Sequence, residues 1–157
     1  MPEFRFTAII PFPREEVSDY ISDPRHWPEF FAEVESVDQV DGWDAPGGRC
    51  RVRVKALGRR QYVAELTEFD RPQLMRDLAK QAGLPDIEHE RVLDVVPEGT
   101  RLDNIARFQP RPGLAGLRDR TVLRWAAQRM YQRMYDRAVA SLVTRLTDRQ
   151  RPGFGSA

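Results

Sequence analysis

The chain has 157 residues, of which 41% are hydrophobic and 31% are charged, and its formal net charge is +1. These values are typical of one soluble globular domain and exclude a disordered chain. The single cysteine, Cys50, excludes an intramolecular disulfide and a cysteine-based metal cluster and favours a reducing compartment. The N-terminus lacks the pattern of a signal peptide and no segment has the length of a membrane span, so we expect a cytoplasmic protein.

The first part of the chain combines one strand with two short helices. Glu3 to Ile10 is rich in Phe, Thr and Ile, which is typical of a strand. Pro11-Phe12-Pro13 ends this strand, and Pro13 can start a helix that continues to about Ile21. Ser22-Asp23-Pro24 then separates this helix from a second short helical turn, Arg25 to Phe31.

A succession of strands joined by tight turns follows. In Arg49–Leu57 apolar and basic residues alternate, which indicates a sheet with one covered face and one wet face. Gln73–Ala82 fits a helical stripe as well as strand alternation, and its place between short-looped strands favours a strand. The predicted strands are Val34 to Val40, Arg49 to Leu57, Arg60 to Phe69, Gln73 to Ala82, Ile87 to Val96 and Thr100 to Gln109.

A long helix is predicted from about Leu114 to Asp148, because apolar residues recur there at steps of three and four. The stripe consists of Leu123, Ala127, Met130, Met134, Ala138, Leu142 and Leu146, widened by Ala126, Tyr131, Val139 and Val143. From Leu114 to Arg151 nine Arg and three Asp give a charge of +6, which leaves −5 for the rest of the chain. This asymmetry fits charge pairing between helix and body, or a docking face for an acidic partner. Nucleic acid is the least favoured partner, because the basic residues are not interleaved with aromatic ones in a groove pattern.

The order of elements predicts an α+β fold. One curved antiparallel sheet of about seven strands would wrap around the long C-terminal helix, with two short helices after the first strand. Residues 1–152 would form one domain and residues 153–157 a loose tail. Both a monomer and a homodimer are compatible with the sequence.

The chain resembles the SRPBCC superfamily, also called START-like or helix-grip proteins, and in particular its polyketide cyclase/dehydrase-like branch. Its resemblance covers almost the whole chain and is carried by short segments: Ile10-Pro11-Phe12-Pro13, Tyr20-Ile21-Ser22-Asp23-Pro24, Trp27-Pro28-Glu29-Phe30, Asp70-Arg71-Pro72, Glu98-Gly99-Thr100 and Arg111-Pro112-Gly113. The resemblance implies a deep apolar cavity between sheet and helix. Some members cyclise or dehydrate polyketides in that cavity, and many only carry hydrophobic ligands.

The last predicted hairpin can be assigned to faces from its own residues. On Arg101–Phe108 the apolar face is Leu102, Asn104, Ala106 and Phe108. A two-residue turn, either Pro97-Glu98 or Glu98-Gly99, pairs this face with Ile87, His89, Arg91, Leu93 and Val95. The hairpin therefore predicts His89, Arg91 and Asn104 on an otherwise apolar interior surface.

These three residues are the candidate catalytic group. A buried Arg91 must meet an acid, water or a ligand, and His89 is the only interior candidate for proton transfer near neutral pH. Together with Asn104 they could bind and polarise a carbonyl or enolate oxygen. The alternative is a structural role at the cavity rim, where they would pair with Asp77, Glu65 or Glu68.

Several further residues are candidate ligand contacts. The aromatic residues of the short helices would either edge the cavity mouth or only pack in the core. Tyr62 is a candidate although either face of its strand could be inward, and Trp125, Met130 and Met134 would form the helix wall. The candidate ligand-binding residues are Trp27, Phe30, Phe31, Tyr62, Leu93, Leu102, Phe108, Met130 and Met134.

Two functions from different classes fit these features. The first is an enzyme that cyclises or dehydrates a polyketide-like molecule, with an acyl carrier protein docking on the basic helix. The second is a non-catalytic carrier of a lipid, quinone or aromatic metabolite. Since no carboxylate is spaced with His26 or His89 as metal ligands, and no phosphate-binding or dinucleotide motif is present, we expect neither a metal nor a cofactor.

Overall fold

The computed structural model describes residues 3–55, 60–108 and 113–151, except for the side chains of residues 115–127. Seven strands form one sheet: β1 Glu3–Ile10, β2 Val34–Asp41, β3 Arg49–Val54, β4 Arg60–Asp70, β5 Leu74–Lys80, β6 Ile87–Val96 and β7 Gly99–Phe108. The helices are α1 Arg14–Ser22, a single 3₁₀ turn Pro24–His26, α2 Trp27–Phe30 and α3 Leu114–Gln150. The predicted α+β helix-grip architecture is confirmed.

The sheet is antiparallel throughout, in the order β1-β7-β6-β5-β4-β3-β2. β2 to β7 follow each other as a meander, and β1 pairs with β7 across its whole length. The segment that also fitted a helical stripe is strand β5, because it pairs with a neighbour on each side. A lone helix at that place would have left the facing edges of β4 and β6 unpaired.

One face of the sheet is apolar and packs against α3. Period-two alternation puts Phe4 and Phe6 of β1, Val52 of β3 and Leu66 of β4 on this face, where all are buried. α3 covers it with Tyr131, Tyr135, Ala138, Leu142 and Leu146. The opposite face is wet and carries ion pairs such as Arg76 with Glu90 and Arg107 with Glu88.

The β6–β7 hairpin turns at Pro97-Glu98, so that Val96 pairs with Gly99. Gly99 has a φ of 136°, and a Cβ there would lie 2.3 Å from the carbonyl oxygen of Ile10. Only glycine therefore lets the hairpin approach the end of β1 this closely. The predicted inner face is confirmed, except that Val95 lies past the core at the end of the strand and is 67% exposed.

The short helices close one end of the sheet–helix sandwich. Trp27 donates through Nε1 to the carbonyl oxygen of Ile21 at 3.0 Å, which fastens α2 to α1. Tyr20 donates to Glu29, stacks on His26 at 4.5 Å and lies 4.4 Å beneath the guanidinium of Arg149 near the end of α3. These contacts hold α1, α2 and α3 together at one end of the interior.

Candidate active site

Neighbouring strands bring four polar side chains together on the inner face of the sheet. His89 pairs with Asp77 across β5 and β6, and Arg91 pairs with Asn104 across β6 and β7. Because residues two apart on a strand share a face, all four point toward α3. The sequence predicted three of them on this face, and Asp77 is the fourth.

Asp77 is the centre of this cluster. Its Oδ1 accepts a hydrogen bond from Arg91 Nη1 at 2.5 Å, and its Oδ2 lies 3.1 Å from His89 Nδ1. Burial by itself raises the pKa of Asp77, but the charges and hydrogen bonds of Arg91 and His89 outweigh it and bring that pKa to about 2. Burial works against the charge of Arg91 in the same way, and the Asp77 carboxylate more than compensates, so that the pKa of Arg91 is raised. Both partners are therefore ionised.

His89 has one nitrogen committed and one available. Since Nδ1 faces an ionised carboxylate, Nδ1 carries a proton in the charged ring and in the neutral ring alike. In the neutral ring Nε2 then carries the lone pair. An imidazole oriented by a carboxylate, with Nε2 unprotonated, is equipped to accept a proton.

Two tyrosines of α3 face the cluster from the helix side. The hydroxyls of Tyr131 and Tyr135 are 3.5 Å apart, and burial raises the pKa of both phenols, so that they remain neutral donors. Tyr135 stacks on Phe6 with ring centres 5.2 Å apart and meets the edge of Phe31 at 5.4 Å. The guanidinium of Arg91 lies 5.4 Å from the centre of the Trp27 ring. The polar cluster is thus enclosed by aromatic side chains.

A small cavity adjoins the cluster. Its volume is about 20 Å³, enough for about one water molecule. Arg91 and Asn104 supply polar groups to its wall, and the other lining residues are Ile21, Phe30, Phe31, Leu102, Tyr135, Ala138, Val139 and Leu142. Asn104 is fully buried, and among the described residues neither its Nδ2 nor its Oδ1 has a hydrogen-bond partner. Asn104 lies near enough to Tyr131 to oppose the rise in that phenol's pKa, without completing a hydrogen bond of normal geometry.

Most of the predicted ligand contacts lie in or around this interior. Phe30, Phe31 and Leu102 line the cavity, and Trp27 and Leu93 are buried close by in the core. Phe108 packs edge-on against Phe4 at 5.1 Å. The sequence left the face of Tyr62 open. Tyr62 lies two and four residues before the buried Ala64 and Leu66, so it shares their inner face of the sheet. Burial there raises the pKa of its hydroxyl.

The helix wall in the structure differs from the predicted one at the two methionines. Met130 is 56% exposed and Met134 is half-buried, while Tyr131 and Tyr135 occupy the inner positions. Counting back from Ala138, a step of four leads to Met134 and a step of three leads to Tyr135, and both steps are helical. The tyrosines take the inner face because their rings bury more surface: Tyr135 stacks on Phe6 and meets the edge of Phe31, and Tyr131 contacts the ring of Phe4. The predicted inner positions of Leu123, Trp125, Ala126 and Ala127 lie outside the described side chains.

The predicted structural alternative is right about one of its three partners. Asp77 is the acid that pairs with His89 and Arg91, and it is buried, at 1% exposed. Glu65 pairs with Arg49 and Lys80, and Glu68 pairs with Arg76. Sequence reasoning named Asp77 only as a possible partner and did not single out Tyr135. The sequence pattern contains a signal for each residue. Asp77 shares a strand face with the apolar Met75 and Ala79, and Tyr135 follows Tyr131 by one helical turn.

Three arginines of the basic face of α3 form no ion pair with the body within the described residues. Arg133, Arg137 and Arg145 are exposed and, in the described part of the chain, have no carboxylate within ion-pair distance. Arg149 contacts Tyr20 and His26 instead. Charge pairing with the body therefore does not account for these three arginines.

The described ranges contain neither a metal-binding group of side chains nor a helix that could span a membrane. Within residues 3–55, 60–108 and 113–151, no three His, Cys, Asp or Glu side chains are grouped so that they could hold a metal ion. No helix of the described part of the chain is long and apolar enough to cross a membrane.

Solved structures with the same fold cover nearly the whole chain. The protein TTHA0849 from Thermus thermophilus is 23% identical with a TM-score of 0.75, over 95% of this chain and 99% of that one. The protein NE0264 from Nitrosomonas europaea is 13% identical with a TM-score of 0.72, over 96% and 97%. DynU16, a putative protein in the dynemicin biosynthetic locus, is 17% identical with a TM-score of 0.66, over 94% of this chain and 48% of that one.

Sequence comparison gives the family. No curated protein sequence matches the chain. The model of the family described as polyketide cyclase / dehydrase and lipid transport matches residues 1–146. With this match, and with a seven-stranded sheet gripping one long helix, the chain belongs to the polyketide cyclase / dehydrase and lipid transport family of the SRPBCC superfamily.

Proposed function

We propose that the protein binds a small hydrophobic or aromatic, polyketide-like molecule between its sheet and α3, and that it promotes cyclisation and dehydration of this molecule. One observation carries the proposal: an ionised Arg91–Asp77 pair, with His89 oriented by the same carboxylate, lies in an apolar interior, and Arg91 of this cluster lines a cavity. Taking such a pair out of water is unfavourable, and apolar residues would pack there at least as well. A chemical role explains why these charges are retained in the interior.

The proposed chemistry uses the neutral form of His89, whose Nε2 can accept a proton. His89 Nε2 takes a proton from the carbon next to a ligand carbonyl, and the electron pair of that C–H bond moves to the carbonyl oxygen. The guanidinium of Arg91, aided by Asn104, stabilises the resulting enolate oxygen. The enolate carbon attacks a second carbonyl of the same chain and forms the ring. The alkoxide formed in this step takes the proton from His89 and becomes a hydroxyl. His89 Nε2 then removes a second α-proton, the electron pair of that C–H bond forms a C=C bond, and the C–O bond breaks while His89 returns this proton to the departing oxygen, so that water leaves.

Variants of the two histidines test this role, because His26 and His89 are the only histidines of the chain. The substrate is a synthetic aryl poly-β-ketone, and mass spectrometry follows the loss of water. For His89→Gln we expect turnover to fall by about 10²- to 10⁴-fold, the usual contribution of a general base, with substrate affinity little changed. His26→Gln is the matched control and keeps full turnover. Full turnover in His89→Gln would refute the catalytic assignment.

A non-catalytic carrier is the second candidate function. It is favoured by the neutralisation of the Arg91 charge by Asp77 within the cluster. Asp77 already neutralises Arg91, so the pair can serve as a fixed anchor for a polar head group without any chemistry. Native mass spectrometry of the freshly purified protein identifies a bound molecule. If that molecule binds tightly and leaves chemically unchanged, while no poly-β-ketone is turned over, the carrier function replaces the enzymatic one.

We further propose that the exposed arginines of α3 dock an acidic partner, such as an acyl carrier protein that delivers a tethered substrate. Arg133 and Arg137 are one helical turn apart, and such like-charged neighbours weaken a helix slightly unless a partner neutralises them. For the double variant Arg133→Glu/Arg137→Glu we expect binding of an acyl carrier protein to be lost at low salt. Arg5→Glu, on exposed β1, is the control. Equal binding by both variants would exclude this surface.

A further inference from the structure

Asn104 has hydrogen-bonding capacity that the described residues do not use. Its side chain is fully buried and lines the cavity, and neither Oδ1 nor Nδ2 completes a hydrogen bond of normal geometry with a described residue, although the Tyr131 hydroxyl lies close by. A buried polar group without a partner destabilises a protein substantially, and native proteins avoid this state. Leucine would fill the same place without that penalty. The amide therefore indicates a partner that enters the cavity.

We propose that Asn104 selects hydrophobic ligands that carry a neutral donor and an acceptor side by side, as in a carboxamide or an un-ionised carboxyl group. This inference rests on the proposed ligand-binding function and names the ligand class for the same site. The edge of the Asn104 amide presents one N–H and one carbonyl oxygen in a plane. A carboxamide or carboxyl edge complements both atoms at once. The cavity of about 20 Å³ has room for about one water molecule, and a ligand edge of this kind would take its place.

The surroundings of Asn104 favour a neutral partner. Asp77 balances the charge of Arg91, so the cluster offers no net positive charge to a carboxylate. Tyr131 and Tyr135 keep their protons, because burial raises the pKa of both phenols. The rest of the wall is apolar, with Phe30, Phe31 and Leu102 among its members. A ligand that enters as a carboxylate would lose its water here without a counter-charge, whereas the enolate of the proposed reaction forms together with a protonated His89 that balances it. A neutral polar edge needs no counter-charge and can pair with the Asn104 amide.

Three probes with the same ring system test the selection. 2-Naphthamide presents a donor and an acceptor, 2-acetylnaphthalene an acceptor alone, and 2-ethylnaphthalene neither. With the wild-type protein we expect affinity, measured by calorimetry, to fall in this order by about tenfold for each hydrogen bond lost. Equal affinity for all three probes would overturn the inference but leave hydrophobic ligand binding intact. If none of the three binds, ligand binding itself fails and the inference fails with it.

Variants then show whether Asn104 is the selecting residue. Asn104→Leu should bind all three probes with similar affinity, and its thermal stability should be equal to or above that of the wild type, because an unpartnered amide is removed. Asn104→Asp keeps the shape of the side chain. If the leucine variant does not fold, the order of the three probe affinities is measured with this variant. Leu102→Ala is the matched control on the same wall, and it should weaken the three probes alike while keeping their order. A preserved order in both Asn104 variants would contradict the assignment and would mean that the amide holds a structural water only.

Discussion

At the scale of single residues, Asp77 decides the character of the interior. It lies 1% exposed on β5, and it holds Arg91 and His89 through separate oxygens. Its charge keeps the guanidinium ionised and fixes the imidazole tautomer. The chemistry proposed for His89 and Arg91 therefore depends on a residue that need not touch the ligand.

We expect Asp77→Asn to destabilise the fold by about 3–5 kcal/mol, because it leaves the charge of Arg91 buried without compensation. The double variant Asp77→Leu/Arg91→Met removes both charges and should recover most of this loss. Urea unfolding measures both effects. If the double variant were as unstable as the single one, the ion pair would not be the cause.

The same pair makes stability depend on acid pH. An unfolded Asp titrates near pH 3.9, whereas the folded pKa of Asp77 is about 2, so the unfolded chain takes up this proton first. The contribution of Asp77, about 2 kcal/mol, is complete above about pH 5 and is lost progressively as the pH falls through 2 toward about 1. We expect the wild type to lose more stability over this range than Asp77→Leu/Arg91→Met. Parallel curves from urea unfolding at each pH would contradict this.

At the scale of elements, the rotation of α3 about its own axis determines which of its side chains face the interior. Tyr131 and Tyr135 face the sheet, whereas Met130 is on the exposed side. The two phenols thereby join the polar cluster of the sheet. The exposed side keeps Arg133 and Arg137 free for a partner.

From this rotation of α3 we predict different effects for substitutions at two of its apolar residues. Met130→Lys should change the free energy of unfolding by no more than about 0.5 kcal/mol, because the side chain is exposed. Leu142→Ala should lower it by about 2–5 kcal/mol, because Leu142 is fully buried and a cavity would remain. Chemical denaturation compares them directly. A large loss in Met130→Lys would place the methionine on the inner face after all.

At the scale of the whole molecule, the binding space is almost closed. A cavity of about 20 Å³ holds a water but not a naphthalene ring, so a ligand enters only if α2 and α3 move apart. Phe31 meets Tyr135 edge-on at 5.4 Å, and this is a contact that such a movement must break. The family fold thus supplies a site whose size depends on how tightly its short helices are packed.

Phe31→Ala should enlarge the cavity and speed up ligand association while lowering stability by about 3–5 kcal/mol. Stopped-flow fluorescence of 2-naphthamide binding measures the rate. Phe69→Ala removes a half-buried ring near the outer end of β4 and serves as the control, with an unchanged association rate. If both variants associate at the wild-type rate, the Phe31–Tyr135 contact does not limit entry.

The sequence by itself determined the order of elements and the faces of the final hairpin. Period-two alternation is strict in a strand, so the apolar Leu102, Ala106 and Phe108 were sufficient to place Asn104, Arg91 and His89 inside. Either two-residue turn, Pro97-Glu98 or Glu98-Gly99, pairs odd positions of one strand with even positions of the other, so the inner faces followed without a choice between the two turns. These inferences are local, because a hairpin carries its own geometry.

Only the tertiary structure decided what these side chains meet. Asp77 is twelve residues from His89 and Tyr135 is on another element, so their contacts depend on strand order and on the rotation of α3. A helix tolerates steps of three and four equally, so the sequence could not choose between Met134 and Tyr135 as the inner residue. The stacking of Tyr135 on Phe6, a residue at the other end of the chain, made that choice.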